Sequence, residues 1–157
     1  MPTDGSPIDS SPTDNTIVIE ADRDRVFAVL IDPTTYPDWL VGAQSIRSVD
    51  ARWPEPGAKF HHRIGFGPLA IPGSTSVRYV ERGEMLQLGA GMGLLGEAVV
   101  TFRLSATSGG TEVRVEEQPD HGPVRLAWSV ASPVMRFGLW GRNAVSLSSL
   151  RATVLRS

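Results

Sequence analysis

The chain has 157 residues and 41% hydrophobic content, enough for one domain that buries roughly 70% of its unfolded surface and so for a core with a cavity inside it. A formal net charge of −2, with fourteen arginines and one lysine scattered among seventeen acids, excludes a general attraction for nucleic acid or anionic lipid. The lack of cysteine excludes disulfides, thiolate nucleophiles and Cys-ligated zinc.

Residues 1–14 are rich in Pro, Ser, Asp and Thr, a composition that buries too little apolar surface to offset ordering entropy. It predicts a disordered tail ahead of one domain over 15–157. The same stretch has neither the basic start nor the apolar run of a signal peptide, and no segment approaches the ~18 apolar residues of a membrane span. A cytoplasmic protein without membrane insertion is expected. Thr16-Ile17-Val18-Ile19-Glu20 reads as a first strand by its β-branched content. Asp22 then caps a helix whose Val26, Val29 and Leu30 share one face with Phe27 beside them. Asp32-Pro33 restarts a short helix, limited to a turn or two by Pro37, with Tyr36, Trp39 and Leu40 as its apolar side.

After Gly42 the period changes from helical to alternating. Stretches 44–53, 58–66, 74–81, 85–91, 97–106 and 111–118 read as strands, separated by glycine- and proline-bearing turns. Hairpin-length connections between six strands predict an antiparallel meander. The period returns to helical at the end, where Ser132 and Pro133 suit an N-cap and first helical position. Phe137, Trp140, Ala144, Leu147, Leu150 and Val154 then recur at three- and four-residue spacing. One sheet between two helical segments is an α+β arrangement: a bent antiparallel sheet of about seven strands around a long C-terminal helix, with a cavity between them.

Several short motifs fall in an order that resembles the START/polyketide-cyclase (SRPBCC) superfamily over about residues 15–155. They are Ile19-Glu20-Ala21-Asp22 leading into Arg25-Val26-Phe27-Ala28-Val29-Leu30, Asp32-Pro33, Tyr36-Pro37-Asp38-Trp39-Leu40, Trp53-Pro54-Glu55-Pro56-Gly57-Ala58, Thr111-Glu112-Val113, and Arg142-Asn143. The resemblance implies a helix-grip fold with an apolar cavity between sheet and closing helix. It implies no particular ligand or reaction, since such families include carriers, aromatases and cyclases.

Strand alternation orients the candidate polar residues. Adjacent His61 and His62 point to opposite faces, and His62 shares its face with Phe60 and Ile64, which assigns it to the cavity. There it is either a hydrogen-bonded ring in the cup or a general acid/base group that titrates near neutrality. Val113, Val115 and Glu117 form one inward row, so the Glu117 carboxylate lies at the cavity rim or is partly desolvated inside it. Tyr79 is expected inward with Val77, offering its hydroxyl to a ligand. Together His62, Glu117 and Tyr79 are the candidate catalytic set. Trp39, Phe60, His62, Phe66, Tyr79, Phe102, Phe137 and Trp140 are the expected ligand-binding residues.

Two other patterns carry less. Gly91-Met92-Gly93-Leu94-Leu95-Gly96 spells G-x-G-x-x-G, but a strand follows it, whereas a dinucleotide site needs the glycines to open a helix. Asp120 and His121 could be drawn with Glu117 as a metal site, yet no second histidine lies at ligand spacing, and a surface loop is the preferred reading. No metal or cofactor is expected. The leading reading is a protein that binds a small hydrophobic or aromatic molecule. The alternatives are a cyclase-type enzyme working by acid/base chemistry in the same cavity, and an interaction module or homodimer built on the apolar loops 65–73 and 92–95.

Overall fold

The computed structural model describes residues 13–91, 93–125 and 133–157. Seven strands form one sheet: β1 (Thr13–Ile19), β2 (Ala43–Val49), β3 (Lys59–Ile64), β4 (Ile71–Glu81), β5 (Met85–Gly91), β6 (Glu97–Thr107) and β7 (Gly110–His121). Their order is β1-β7-β6-β5-β4-β3-β2 with every neighbouring pair antiparallel, so β2 to β7 make the expected meander. The first two strands in sequence therefore lie on opposite edges. Helices α1 (Arg23–Leu30) and α2 (Tyr36–Trp39) carry the chain from one edge to the other, and closing helix α3 (Pro133–Arg156) completes the α+β helix-grip arrangement.

Local chemistry sets the helix boundaries. The Asp22 carboxylate accepts the Arg25 amide at 2.9 Å and satisfies a donor that the first turn leaves open. The next element begins likewise, with Asp32 accepting Thr34 N at 3.0 Å before a 3₁₀ turn over Pro33–Thr35. At its far end α3 leaves carbonyls without intrahelical partners. Arg25 of α1 reaches one of them, donating to Leu155 O at 3.3 Å, and also donates to Ser157 O just past the helix at 2.7 Å.

The core lies on the concave side of the sheet. Ile19, Val26, Leu30, Leu86, Val113, Leu150 and Val154 are fully buried, each such aliphatic side chain stabilising the fold by about 1.5–3 kcal/mol relative to exposure. On α3 the buried stripe runs Asn143, Ser146, Leu147, Leu150, Val154, the three- and four-residue spacing of one helical face. Buried Tyr36 donates its hydroxyl to Leu30 O at 2.8 Å and Trp53 its indole N–H to Ile31 O at 2.6 Å, so both rings are fixed by the chain leaving α1.

Several strand boundaries differ from the sequence expectation: β4 starts at Ile71 and not at 74, β7 runs on to His121 and not only to 118, and the ends of β1 and β2 also move. Strand β1 begins at Thr13 and takes up Asp14, because Thr13 pairs with Glu117 and Asp14 with Glu116 across the ladder to β7. The rest of the expected tail, residues 1–12, lies outside the described residues. Strand β2 ends at Val49 instead of running to Trp53. Asp50 turns the chain there and its carboxylate accepts Lys59 N at 2.9 Å.

Candidate functional site

A cavity of about 110 Å³ lies between the sheet, α2 and α3. Trp39, Ile64, Leu88, Val100, Phe102 and Leu147 supply much of its apolar wall, and the polar side chains on it are His62, Thr75, Glu117, Arg142, Asn143 and Ser146. Five strands contribute because the sheet is bent. His62 on β3 and Glu117 on β7 are four strand spacings apart, roughly 19 Å in a flat sheet at about 4.8 Å per strand, yet both line this one cavity.

Glu117 anchors the polar end. It is 8% exposed, and its Oε2 accepts Arg142 Nη2 at 2.6 Å and Asn143 Nδ2 at 3.1 Å. Arg142 also donates to Asn143 Oδ1 at 3.0 Å, which closes a three-residue cluster across the gap between β7 and α3. A carboxylate at this depth needs such partners, because desolvation without them costs several kcal/mol. Both donors converge on one oxygen. Among the described residues no donor reaches Oε1.

His62 is 7% exposed and pairs through Nε2 with Thr75 Oγ1 at 3.1 Å. Its other nitrogen, Nδ1, is buried with no hydrogen-bond partner among the described residues. Burial pushes the imidazole pKa below its ordinary 6.5, and neighbouring His61 adds to the shift. The ring is therefore neutral near pH 7. No hydrogen bond joins His62 to Glu117 among the described residues; each is held by partners of its own.

Trp39 and Phe102 line the cavity, edge to face at 6.1 Å between ring centroids. Four of the other expected positions are placed differently. Phe60 is buried behind the cavity wall, packed on Tyr36 at 5.2 Å and Trp53 at 5.0 Å, so it belongs to the core. Tyr79 faces outward, 46% exposed, with its hydroxyl donating to Glu81 at 3.2 Å. The reason is a bulge in β4: Val77 pairs with Leu88 but Tyr79 with Gln87, and the extra residue, Arg78, reverses the inward–outward parity. Trp140 is 47% exposed and is not a wall of the cavity, whose α3 lining is Arg142, Asn143, Ser146 and Leu147. Its carbonyl instead accepts Asn15 Nδ2 of β1 at 3.1 Å. Phe66 is 71% exposed in the β3–β4 connection and does not cover the cavity. The side chain of Phe137 lies outside the described residues.

Sequence reasoning gave Arg142, Asn143 and Ser146 no role. Their signal was present: polar residues at positions 143 and 146 interrupt the apolar stripe that continues through Leu147, Leu150 and Val154. A polar group on a buried stripe requires a partner or a ligand.

The drawn metal set is also rearranged, since Glu117 turns to the cavity while Glu97 joins Asp120 and His121 outside it, their ligand atoms within 4.8 Å of one another. A cation already stands there. Arg78 donates to Asp120 Oδ2 at 2.6 Å and through Nε to Glu97 Oε1 at 3.1 Å, and its guanidinium holds the Asp120 carboxyl below the usual range. The G-x-G-x-x-G run closes the β5–β6 hairpin, with a 3₁₀ turn over Gly93–Leu95 followed by strand β6. Among the described residues no helix is long and apolar enough to cross a membrane.

No protein-family model matches the chain, and no curated protein does. Solved structures do match. Protein NE0264 from Nitrosomonas europaea is 17% identical with a TM-score of 0.69, over 94% of this chain and 96% of that one. The di-domain ARO/CYC StfQ of the steffimycin biosynthetic pathway is 12% identical with a TM-score of 0.70, over 94% of this chain and 52% of that one. Ara h 8.0201 is 11% identical with a TM-score of 0.69, over 93% of this chain and 98% of that one. At these identities the likeness is one of fold, and the fold is of the START/polyketide-cyclase (SRPBCC) type.

Proposed function

We propose that the protein binds a small, largely apolar molecule in the cavity between its sheet and α3. The observation that carries this reading is the contrast within one enclosure: aromatic and aliphatic walls from Trp39, Leu88, Val100 and Phe102, with the Glu117–Arg142–Asn143 cluster on one side. Apolar burial at about 25 cal/mol per Å² supplies affinity and a few convergent polar groups supply orientation. The volume of about 110 Å³ is of the order of cavities, about 150 Å³, that take one benzene-sized molecule. It suits a compact ligand better than a long chain.

The test uses a filled cavity. Ala98 lines it and is 5% exposed, so Ala98→Leu places a larger side chain where a ligand would sit. Native mass spectrometry of protein from its source cell should show a retained small molecule on the parent chain and none on the variant. Toluene should likewise shift the NMR methyl signals of Leu88 and Val100 only in the parent. A molecule held equally by the filled variant, or no retained mass together with no toluene shift, would sink the reading.

The cyclase-type reading is supported by His62 and Glu117 lining one cavity and by the fold shared with the ARO/CYC protein. It requires a proton to move at the His62 imidazole, and His62→Gln should then lower turnover by about 10²–10⁴ with a much smaller change in ligand affinity. Equal turnover by parent and variant would remove His62 from the chemistry.

A further inference from the structure

We propose that the cavity selects a neutral ring compound bearing one hydroxyl, with the ring against Trp39, Leu88 and Phe102 and the hydroxyl donating to Glu117. This deepens the small-molecule reading and rests on it. Glu117 carries the argument: it is more than nine-tenths buried, it lines the cavity, and its two protein donors both occupy Oε2. A carboxylate offers two oxygens with about four acceptor positions. With Oε1 taking no donor among the described residues, the cluster is complete in charge but incomplete in hydrogen bonding.

The other polar groups narrow the choice. His62 Nε2 is already paired with Thr75 at 3.1 Å, although the buried Nδ1 of the same ring takes no partner among the described residues, and Ser146 Oγ accepts Val41 N at 3.0 Å. Arg142 is committed to Glu117 and Asn143. An anionic ligand would set its charge beside the Glu117 carboxylate, in a medium that screens it less than water does. A donor without formal charge avoids this repulsion. A molecule lacking a donor would leave the carboxylate oxygen desolvated and unpaired, the situation in which a polar site discriminates most sharply.

The probes are phenol, toluene, anisole and benzoate, titrated into the full chain by NMR with the Leu88 and Val100 methyls as reporters. These share one benzene ring, the size the cavity suits, and differ in one group. Phenol should bind roughly ten- to a hundredfold more tightly than toluene and anisole, the range for one hydrogen bond to a charged acceptor. In Glu117→Gln that preference should fall to about threefold or less, since the neutral amide is a weaker acceptor. Equal affinity for all three neutral probes would overturn the hydroxyl proposal while leaving the small-molecule reading intact. Tightest binding of benzoate would overturn it in favour of Arg142 as the recognising group. Absence of binding by every probe would remove both. Should Glu117→Gln fail to fold, the ranking of the four probes on the parent chain still decides.

Discussion

Burial of His62 fixes the sign of its contribution to stability. Its folded pKa lies below the ordinary 6.5 because the charged ring is desolvated. Above about pH 6.5 the imidazole is neutral in both states and its contribution is intact. As pH falls through that value, the unfolded chain takes a proton that the folded one resists, and stability is lost. The melting temperature of the parent chain should therefore decline more steeply than that of His62→Gln between about pH 7 and pH 5. Parallel curves would mean that His62 does not stay neutral in the fold. A second buried group, Asn143, is 5% exposed and donates to Glu117 at 3.1 Å. Asn143→Ala removes a hydrogen bond to a charged acceptor and should cost about 2 kcal/mol in urea unfolding; a cost below about 0.5 kcal/mol would show that Arg142 alone satisfies the carboxylate.

At the scale of elements, the turn between β6 and β7 is a tight constraint. Gly110 has φ +133°, and a Cβ there would stand 2.1 Å from the Ile19 carbonyl at the end of β1. Gly57 also has positive φ, +88°, but nothing lies within 4 Å of its added Cβ. Gly57→Ala should cost about 1 kcal/mol of backbone strain, whereas Gly110→Ala should cost at least about 2 kcal/mol more, because it also pushes β1 off β7. Comparable urea midpoints for the two variants would contradict the close approach. The bulge at Arg78 belongs to the same scale. It turns Tyr79 out and Val80 in toward the core, and it places the Arg78 guanidinium between Glu97 and Asp120 on the outer face.

At the scale of the molecule, strand β1 ties α3 to the sheet. Asn15 of β1, 6% exposed, bonds the Trp140 carbonyl of α3, and Asp14 pairs with Arg114 of β7. Removing residues 1–14 should therefore lower the melting temperature by a few degrees relative to removing residues 1–12, since only the longer deletion cuts the ladder to Glu116 and Glu117. Identical melting of the two truncations would show that Thr13 and Asp14 add nothing. The cavity is also a cost to stability, because its wall atoms lack partners on one side. Ala98→Leu should raise stability by about 1 kcal/mol while abolishing ligand binding; a destabilised variant would mean that the space is already filled by its walls in solution.

Sequence by itself determined the elements and most side-chain directions, because both depend on short-range periodicity. The capped helix over Val26 to Leu30, the six-strand meander, and the inward row Val113, Val115, Glu117 were all legible from the spacing of apolar residues and the turn residues between them. His62 was placed inward by the same rule. Tyr79 was misplaced because one inserted residue reverses every direction after it, and a bulge leaves no mark on the alternation of Val77 and Tyr79. Trp140 was misplaced because a three- and four-residue repeat defines a face but not where along it the sheet stops. Only the tertiary structure brought Glu117 against Arg142 and Asn143, residues 25 and 26 positions away in sequence. That contact depends on the bend of the sheet and the rotation of α3, which are set by the packing of the whole core and not by any local pattern.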